Sequence, residues 1–77
     1  MPNTMDFNKP ICAVVEGDDD SKKLREYFVE HGIAFKVIIE GYAYVGDLHI
    51  FECSMTDETF QAANRDTGAL FYQWDLP

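Results

Sequence analysis

Cationic side chains are few in this 77-residue sequence. Six Lys and Arg residues stand against 14 Asp and Glu, so the formal net charge is −8 at pH 7. Nucleic acids and anionic membranes are bound mainly through cationic surface. The charge therefore argues against both as direct partners, and a protein partner with a basic surface fits it better.

Long apolar runs are also missing. No run approaches the roughly 20 residues of a membrane-spanning helix, and the N-terminal residues MPNTMDFNK lack the apolar segment of a secretory signal. We expect a cytoplasmic protein. Because that compartment is reducing, Cys12 and Cys53 are expected to be buried thiols rather than a disulfide.

The chain is short, but it is not poor in core-forming residues. Hydrophobic residues make up 47% and aromatic residues 14% of the sequence, too much for a disordered chain and enough for one small core. Residues 1–9 are polar and without periodicity, which predicts a flexible N-terminal arm. Residues 10–77 are expected to form a single small α+β domain.

The first half of the domain predicts a strand and then a helix. Residues 11–15 form a short β-branched run that suits a buried strand. Residues 18–21 contain good N-cap residues, and an apolar stripe with helical spacing follows them. Gly32 is expected to end the helix in the left-handed conformation, with Ile33 as the apolar residue that follows.

The second half predicts a hairpin, a short helix and a closing strand. Residues 34–45 alternate as a strand with a bulge at Gly41, turn at residues 46–47, and return over residues 48–53. Thr56 is the expected N-cap of a helix that ends near Asn64. Residues 69–74 would form the last strand.

The order strand–helix–strand–strand–helix–strand predicts a ferredoxin-like βαββαβ two-layer sandwich. The four-stranded sheet would be antiparallel or mixed, with both helices on one face. The short second helix leaves an alternative open, in which residues 55–77 wrap the sheet differently.

Aromatic residues suggest a binding surface on the face of the sheet away from the helices. If the helices cover the side of Phe35, Val37 and Ile39, the opposite side carries Ile38, Tyr42 and Tyr44. Some of the later aromatic residues would join these residues, and the candidates are Phe51, Phe71, Tyr72 and Trp74. Of these four, Tyr72 and Trp74 are the predicted partner-binding residues. Interfaces favour Tyr and Trp, and monomers rarely expose a large apolar patch. We therefore expect a homodimer; the alternative is that the aromatic residues only fill the core or are covered by the chain termini.

A second candidate surface is acidic. Residues 37–77 contain one cation, Arg65, and seven anions, a net charge of −6. Asp57, Glu58 and Asp66 are the candidate docking residues for a basic partner. The alternative is that these acids only keep the protein in solution.

One segment resembles a known motif. Residues 14–20, Val-Val-Glu-Gly-Asp-Asp-Asp, resemble the first motif of Toprim domains, a hydrophobic strand that ends in Glu-Gly with an aspartate shortly after. The resemblance implies that Glu16 is a general acid/base and that a second, DxD-type motif holds Mg²⁺. That second motif is missing, and only Glu52 and Asp57 stand near its expected position. The same acids also fit a solvated turn with helix capping, or a hard-cation site.

Other catalytic patterns are weak. Cys12, Cys53, His31 and His49 could form a zinc set in principle, but they lack the usual ligand spacing. No serine lies in a recognisable nucleophile motif. We therefore predict no catalytic residue, no metal site and no cofactor.

The leading function hypothesis is a small acidic, non-catalytic binding module that acts through protein–protein contact, as an inhibitor or adaptor of a basic partner. One alternative is a dimeric ferredoxin-like module that senses a small ligand. Another is a Toprim-like, metal-dependent or degenerate nuclease-like domain.

Overall fold

The computed structural model describes residues 5–42 and 47–73, and of Tyr42 the backbone only. Within these ranges the chain forms six elements, in the order β1 (Ile11–Glu16), α1 (Asp18–Glu30), β2 (Phe35–Tyr42), β3 (Leu48–Cys53), α2 (Asp57–Thr67) and β4 (Leu70–Tyr72). The predicted βαββαβ order is confirmed. The predictions for Tyr44, Gly46 and Trp74 lie outside the described residues.

The four strands form one antiparallel sheet in the order β2-β3-β1-β4. Each strand–helix–strand unit leaves a gap that a strand of the other unit fills: β3 lies between β1 and β2, and β1 lies between β3 and β4. All neighbouring strands are consequently antiparallel. This is the ferredoxin-like arrangement predicted above, with the antiparallel rather than the mixed sheet.

The ends of α1 follow local rules, with one correction. The helix begins at Asp18, and its N-cap is Gly17 (φ 88°) with no side-chain hydrogen bond, so the side chains of residues 18–21 do not cap it. At the other end, the amide of Gly32 donates to the carbonyl of Val29, and the amide of Ile33 donates to the carbonyl of Phe28. Together with the positive φ of Gly32, these bonds form a Schellman motif, as predicted.

Helix α2 is longer than predicted. Its N-cap is Thr56, whose hydroxyl accepts a hydrogen bond from the amide of Thr59 at 3.2 Å, as expected. The helix continues three residues beyond Asn64, because the hydroxyl of Thr67 donates to the carbonyl of Ala63 and Gly68 supplies the left-handed end. At 11 residues α2 spans the crossover to β4, and the alternative path for residues 55–77 does not occur in its described part.

The core lies between the two helices and one face of the sheet. Phe28 of α1 and Phe51 of β3 are fully buried, and their rings meet edge to face at 6.1 Å. A second aromatic contact joins α2 to β4, because the ring of Phe60 lies 5.5 Å from that of Phe71. The side chains of β1 that enter this core are those of its odd-numbered residues, Ile11, Ala13 and Val15.

Part of the predicted N-terminal arm contacts the domain. The ring of Phe7 lies 5.7 Å from that of Phe60 on α2. The amide of Asp6 donates to the side chain of Gln73, which in turn donates to the carbonyl of Asp6. These contacts hold residues 6 and 7 against α2 and the end of β4.

Strand β2 contains two register shifts, and only one was predicted. The shift between Glu40 and Tyr42 contains Gly41 (φ 73°), the expected bulge. The other lies between Val37 and Ile39.

Among the described residues, no helix is long and apolar enough to cross a membrane.

The second register shift changes which residues of β2 face the helices, and the prediction for this strand is corrected accordingly. Directly opposite residues of paired strands point to the same face. Val37 pairs with the buried Phe51, whereas Ile39 pairs with Ile50, which points away from the helices. The prediction that Val37 and Ile39 share a face is therefore wrong, because the bulge adds a residue between them.

Candidate functional site

The side of the sheet that points away from α1 and α2 is here called the open face. Its members follow from the strand register, because every second residue of β1 faces the core and the others face away. Cys12, Val14 and Glu16 are the residues of β1 on the open face, and their partners on the neighbouring strands lie there with them.

An unbroken line of branched aliphatic residues crosses the middle of the open face. Val14 on β1 lies opposite Leu70 on β4 and also opposite Ile50 on β3, and Ile50 lies opposite Ile39 on β2. We call Leu70, Val14, Ile50 and Ile39 the aliphatic row. Leu70 is 66% exposed and the other three side chains are partly exposed. Strands lie about 4.8 Å apart, so the row is roughly 14 Å long.

A second line of residues flanks the aliphatic row on one side. It runs from Tyr72 to Cys12, Glu52 and Lys36. The ammonium group of Lys36 lies 3.6 Å from the carboxylate of Glu52, so these two charges compensate each other. Burial, with a further contribution from Cys12, raises the pKa of Tyr72 above its usual value of 10.0.

On the other side of the row lie Glu16 and Leu48, which face each other across β1 and β3, and the backbone position of Tyr42, which pairs with Leu48. Of the four predicted aromatic site residues, only Tyr72 has a described side chain. The structure places it on the open face, as expected. Phe51 and Phe71, whose sides the sequence left undecided, both face the helices.

The predicted acidic site lies in the other layer of the molecule. Asp57 and Glu58 are in the first turn of α2, and Asp66 is near its last residue. At 1.5 Å per residue, Glu58 and Asp66 are about 12 Å apart along the helix axis. Asp57 accepts a hydrogen bond from the side chain of Gln61, and Asp66 pairs with Arg65 at 3.1 Å. All three acids are exposed, but they do not form one cluster, and they do not adjoin Tyr72.

The arrangement implied by the Toprim resemblance is not formed. Glu16 pairs with Leu48 at one end of the β1–β3 ladder, whereas Glu52 pairs with Cys12 four residues away. At about 3.3 Å per residue this separates the two acids by roughly 13 Å. Asp57 follows β3 beyond Glu52 and is farther still along the chain. Glu16 therefore has neither candidate for the second motif beside it.

The proposed cysteine–histidine set is not brought together either. Cys12 points to the open face and Cys53 into the core, while His31 caps the C-terminus of α1 and stacks on Tyr27. Both cysteines are buried and neither is in a disulfide, as predicted. His49 lies on the core side of β3, close to Asp18 and Asp47.

An open groove of about 490 Å³ lies between residues 5–7 and α2, and its lining includes Phe7, Phe60 and Arg65. It is separate from the open face. The aliphatic row was not predicted as a unit, because its four residues come from four strands whose register the sequence does not state.

Comparison with protein-family models, with curated proteins and with solved structures gives no match.

Proposed function

We propose that this chain is a small, non-catalytic binding module that works through protein–protein contact. The open face is its contact surface, and a second copy of the chain occupies it. The observation that carries the proposal is the aliphatic row. An antiparallel sheet with one solvated face normally carries polar residues there, yet here branched aliphatic side chains cross all four strands.

The charge distribution supports a second copy as the occupant. Among the described residues that the strand register places on the open face, the charged ones are Lys36, Glu52 and Glu16, a net charge of −1. The whole chain carries −8. Two copies can therefore approach through this face with far less repulsion than through the acidic helix layer.

The open face is small for a protein–protein interface. The four strands lie about 4.8 Å apart and range from about 10 Å (β4) to about 26 Å (β2) in length. They give a footprint of roughly 360 Å² per copy, less than half of a standard interface. Such a contact favours a dimer that forms and dissociates at micromolar concentration. Twofold pairing suits it, because the row then lies against its own copy.

A basic protein is the second candidate partner. Asp57 and Glu58 are exposed in the first turn of α2, in the layer that face-to-face pairing leaves accessible. In this form of the proposal the dimer is an adaptor or inhibitor whose acidic surface meets a cationic one. A small ligand held at the dimer seam is the remaining alternative, and the groove beside α2 is not part of that seam.

Sedimentation equilibrium over the micromolar range tests the proposal. The wild type should shift from 8.8 kDa towards twice that mass as its concentration rises. Leu70→Lys introduces a charge at the end of the aliphatic row and should leave a monomer. Val29→Lys is the matched control, because Val29 is similarly exposed, at 71%, but lies on α1 in the helix layer. A wild type that is monomeric throughout, or equal dissociation in both variants, would contradict the proposal.

A further inference from the structure

His49 presents an unusual combination of burial and unused bonding capacity. Its side chain is 2% exposed, and within the described part of the chain neither Nδ1 nor Nε2 has a hydrogen-bond partner. Buried polar groups are almost always hydrogen-bonded, because an unpaired one loses its interaction with water without replacement. A buried imidazole without a hydrogen bond therefore calls for an explanation.

The imidazole is directed at two carboxylates from other segments. Nε2 of His49 lies 3.3 Å from Oδ1 of Asp18 and 3.6 Å from Oδ1 of Asp47. Asp18 is the first residue of α1, and Asp47 precedes β3. The two loops are joined, because the amide of Gly17 donates to the carbonyl oxygen of Asp47 at 3.0 Å.

Two residues in or beside the cluster have a left-handed backbone conformation. Asp47 has φ 58°, a left-handed conformation that is uncommon outside glycine. Gly41 faces it across the hairpin with φ 73°, and a Cβ at that position would lie 3.1 Å from Oδ1 of Asp47. A side chain at position 41 would crowd the carboxylate, so glycine keeps this side of the cluster open.

The two distances from the imidazole nitrogen to the carboxylate oxygens match those between neighbouring ligands of a metal site. All three ligand atoms lie within 4.8 Å of one another. A four-coordinate ion with bonds of about 2.0–2.1 Å holds neighbouring ligands roughly 3.4 Å apart, close to the 3.3 and 3.6 Å seen between Nε2 and the two carboxylate oxygens. Two carboxylates and a neutral imidazole also balance the charge of a divalent cation.

The chemistry of the ligands indicates which class of ion fits. Mg²⁺ and Ca²⁺ prefer sites made of oxygen atoms alone, whereas an imidazole nitrogen suits zinc, copper, nickel and iron. We propose that Asp18, Asp47 and His49 bind a divalent first-row transition-metal ion, with Zn²⁺ as the test ion. The ion joins the start of α1 to the loop before β3 and leaves a fourth coordination position outside the protein ligands.

Isothermal titration calorimetry with ZnCl₂, and separately with MgCl₂, tests the site in the full chain. We expect one Zn²⁺ per chain and no measurable Mg²⁺ binding. Asp18→Asn and Asp47→Asn keep the shape of each side chain but remove a charged ligand, and each should weaken Zn²⁺ binding about tenfold or more. Asp19→Asn is the matched control, because Asp19 is exposed in the same helical turn but outside the cluster.

A spectroscopic probe tests the coordination geometry of the ion and whether His49 is one of its ligands. Co²⁺ in place of Zn²⁺ should give the visible absorption of a four-coordinate ion in the wild type and in Asp19→Asn, and should lose it in His49→Gln. Circular dichroism checks that His49→Gln still folds. If this variant does not fold, the loss of the Co²⁺ absorption is tested in Asp18→Asn, whose substitution lies at the surface.

Three results would overturn the proposal. The first is no Zn²⁺ binding, with His49 acting only as an imidazolium beside two carboxylates. The second is equal binding by the wild type, Asp18→Asn and Asp47→Asn. The third is equal weakening in Asp19→Asn, which would indicate diffuse attraction to acidic residues.

Discussion

The thiol of Cys53 donates a hydrogen bond to the carbonyl oxygen of Ile11, its partner across the β1–β3 ladder, at 3.3 Å. Burial, with smaller contributions from Cys12 and Glu52, raises the pKa of Cys53 from 9.0 to about 12. Since the thiolate is the nucleophile in alkylation and exchange, this thiol is expected to be inert in the native protein.

Alkylation at pH 8 followed by mass spectrometry tests that expectation. Cys53 should remain unmodified in the native state and react readily in denaturant. Oxidation should not join Cys53 to Cys12, because the two side chains point to opposite faces of the sheet. Rapid native alkylation of Cys53, or an intramolecular disulfide, would contradict the structure.

The same pKa predicts how stability depends on pH. Below pH 9 the thiol of Cys53 is protonated in both the folded and the unfolded state, so its contribution to stability is fully present. Between pH 9 and about 12 the unfolded state loses the proton while the folded state keeps it. The free energy of unfolding should then fall, by up to about 1.4 kcal/mol per pH unit from this group.

Urea unfolding of the wild type and of Cys53→Ala between pH 8 and 11 measures that contribution. The tyrosines whose pKa values are raised, Tyr27 and Tyr72, act in the same direction in both proteins. The wild type should therefore lose stability more steeply than the variant. Equal slopes would show that the thiol of Cys53 does not titrate differently in the two states.

Gly41 and Gly32 form a matched pair for testing the bulge in β2. Both have positive φ, so an alanine at either position is strained by about 1–2 kcal/mol. A Cβ at Gly32 meets nothing within 4 Å, whereas a Cβ at Gly41 meets the carboxylate of Asp47 at 3.1 Å. Gly41→Ala should therefore lower the free energy of unfolding by more than Gly32→Ala. An equal or smaller loss would mean that the carboxylate of Asp47 moves aside to admit the methyl group.

A second matched pair of variants distinguishes docking through the acidic surface of α2 from an effect of net charge alone. Asp57→Lys/Glu58→Lys and Asp19→Lys/Asp20→Lys each reverse two acids in the first turn of a helix. Either change should cost on the order of 1 kcal/mol of stability, because cations oppose the helix dipole there. If α2 docks a basic protein, only the first variant should slow association strongly at low salt. Surface plasmon resonance at several salt concentrations measures this, and equal slowing would assign the effect to net charge alone.

The features predicted correctly from the sequence are those that depend on a few residues adjacent in the chain. Gly32 and Thr56 act as helix caps, and Gly41 forms a bulge, because each depends on the conformation or hydrogen bonding of a few adjacent residues. The order of elements follows from hydrophobic periodicity in the same way. The end of α2 was placed too early, because the hydrogen bond from Thr67 to Ala63 extends a segment of low helix propensity.

The features that the sequence did not predict depend on register and on distant contacts. The bulge between Val37 and Ile39 contains no glycine to signal it, yet it moves Ile39 to the open face. The aliphatic row exists only when four strands are aligned. Likewise, Asp18 and His49 meet only because β3 pairs with β1.

Isotope-filtered NOE spectroscopy on a mixture of ¹³C-labelled and unlabelled protein detects self-association through the open face. We expect intermolecular contacts from the methyl groups of Val14, Ile39, Ile50 and Leu70, and none from Val29 on α1. Intermolecular contacts confined to the helix layer, or their absence at concentrations well above the micromolar range, would contradict it.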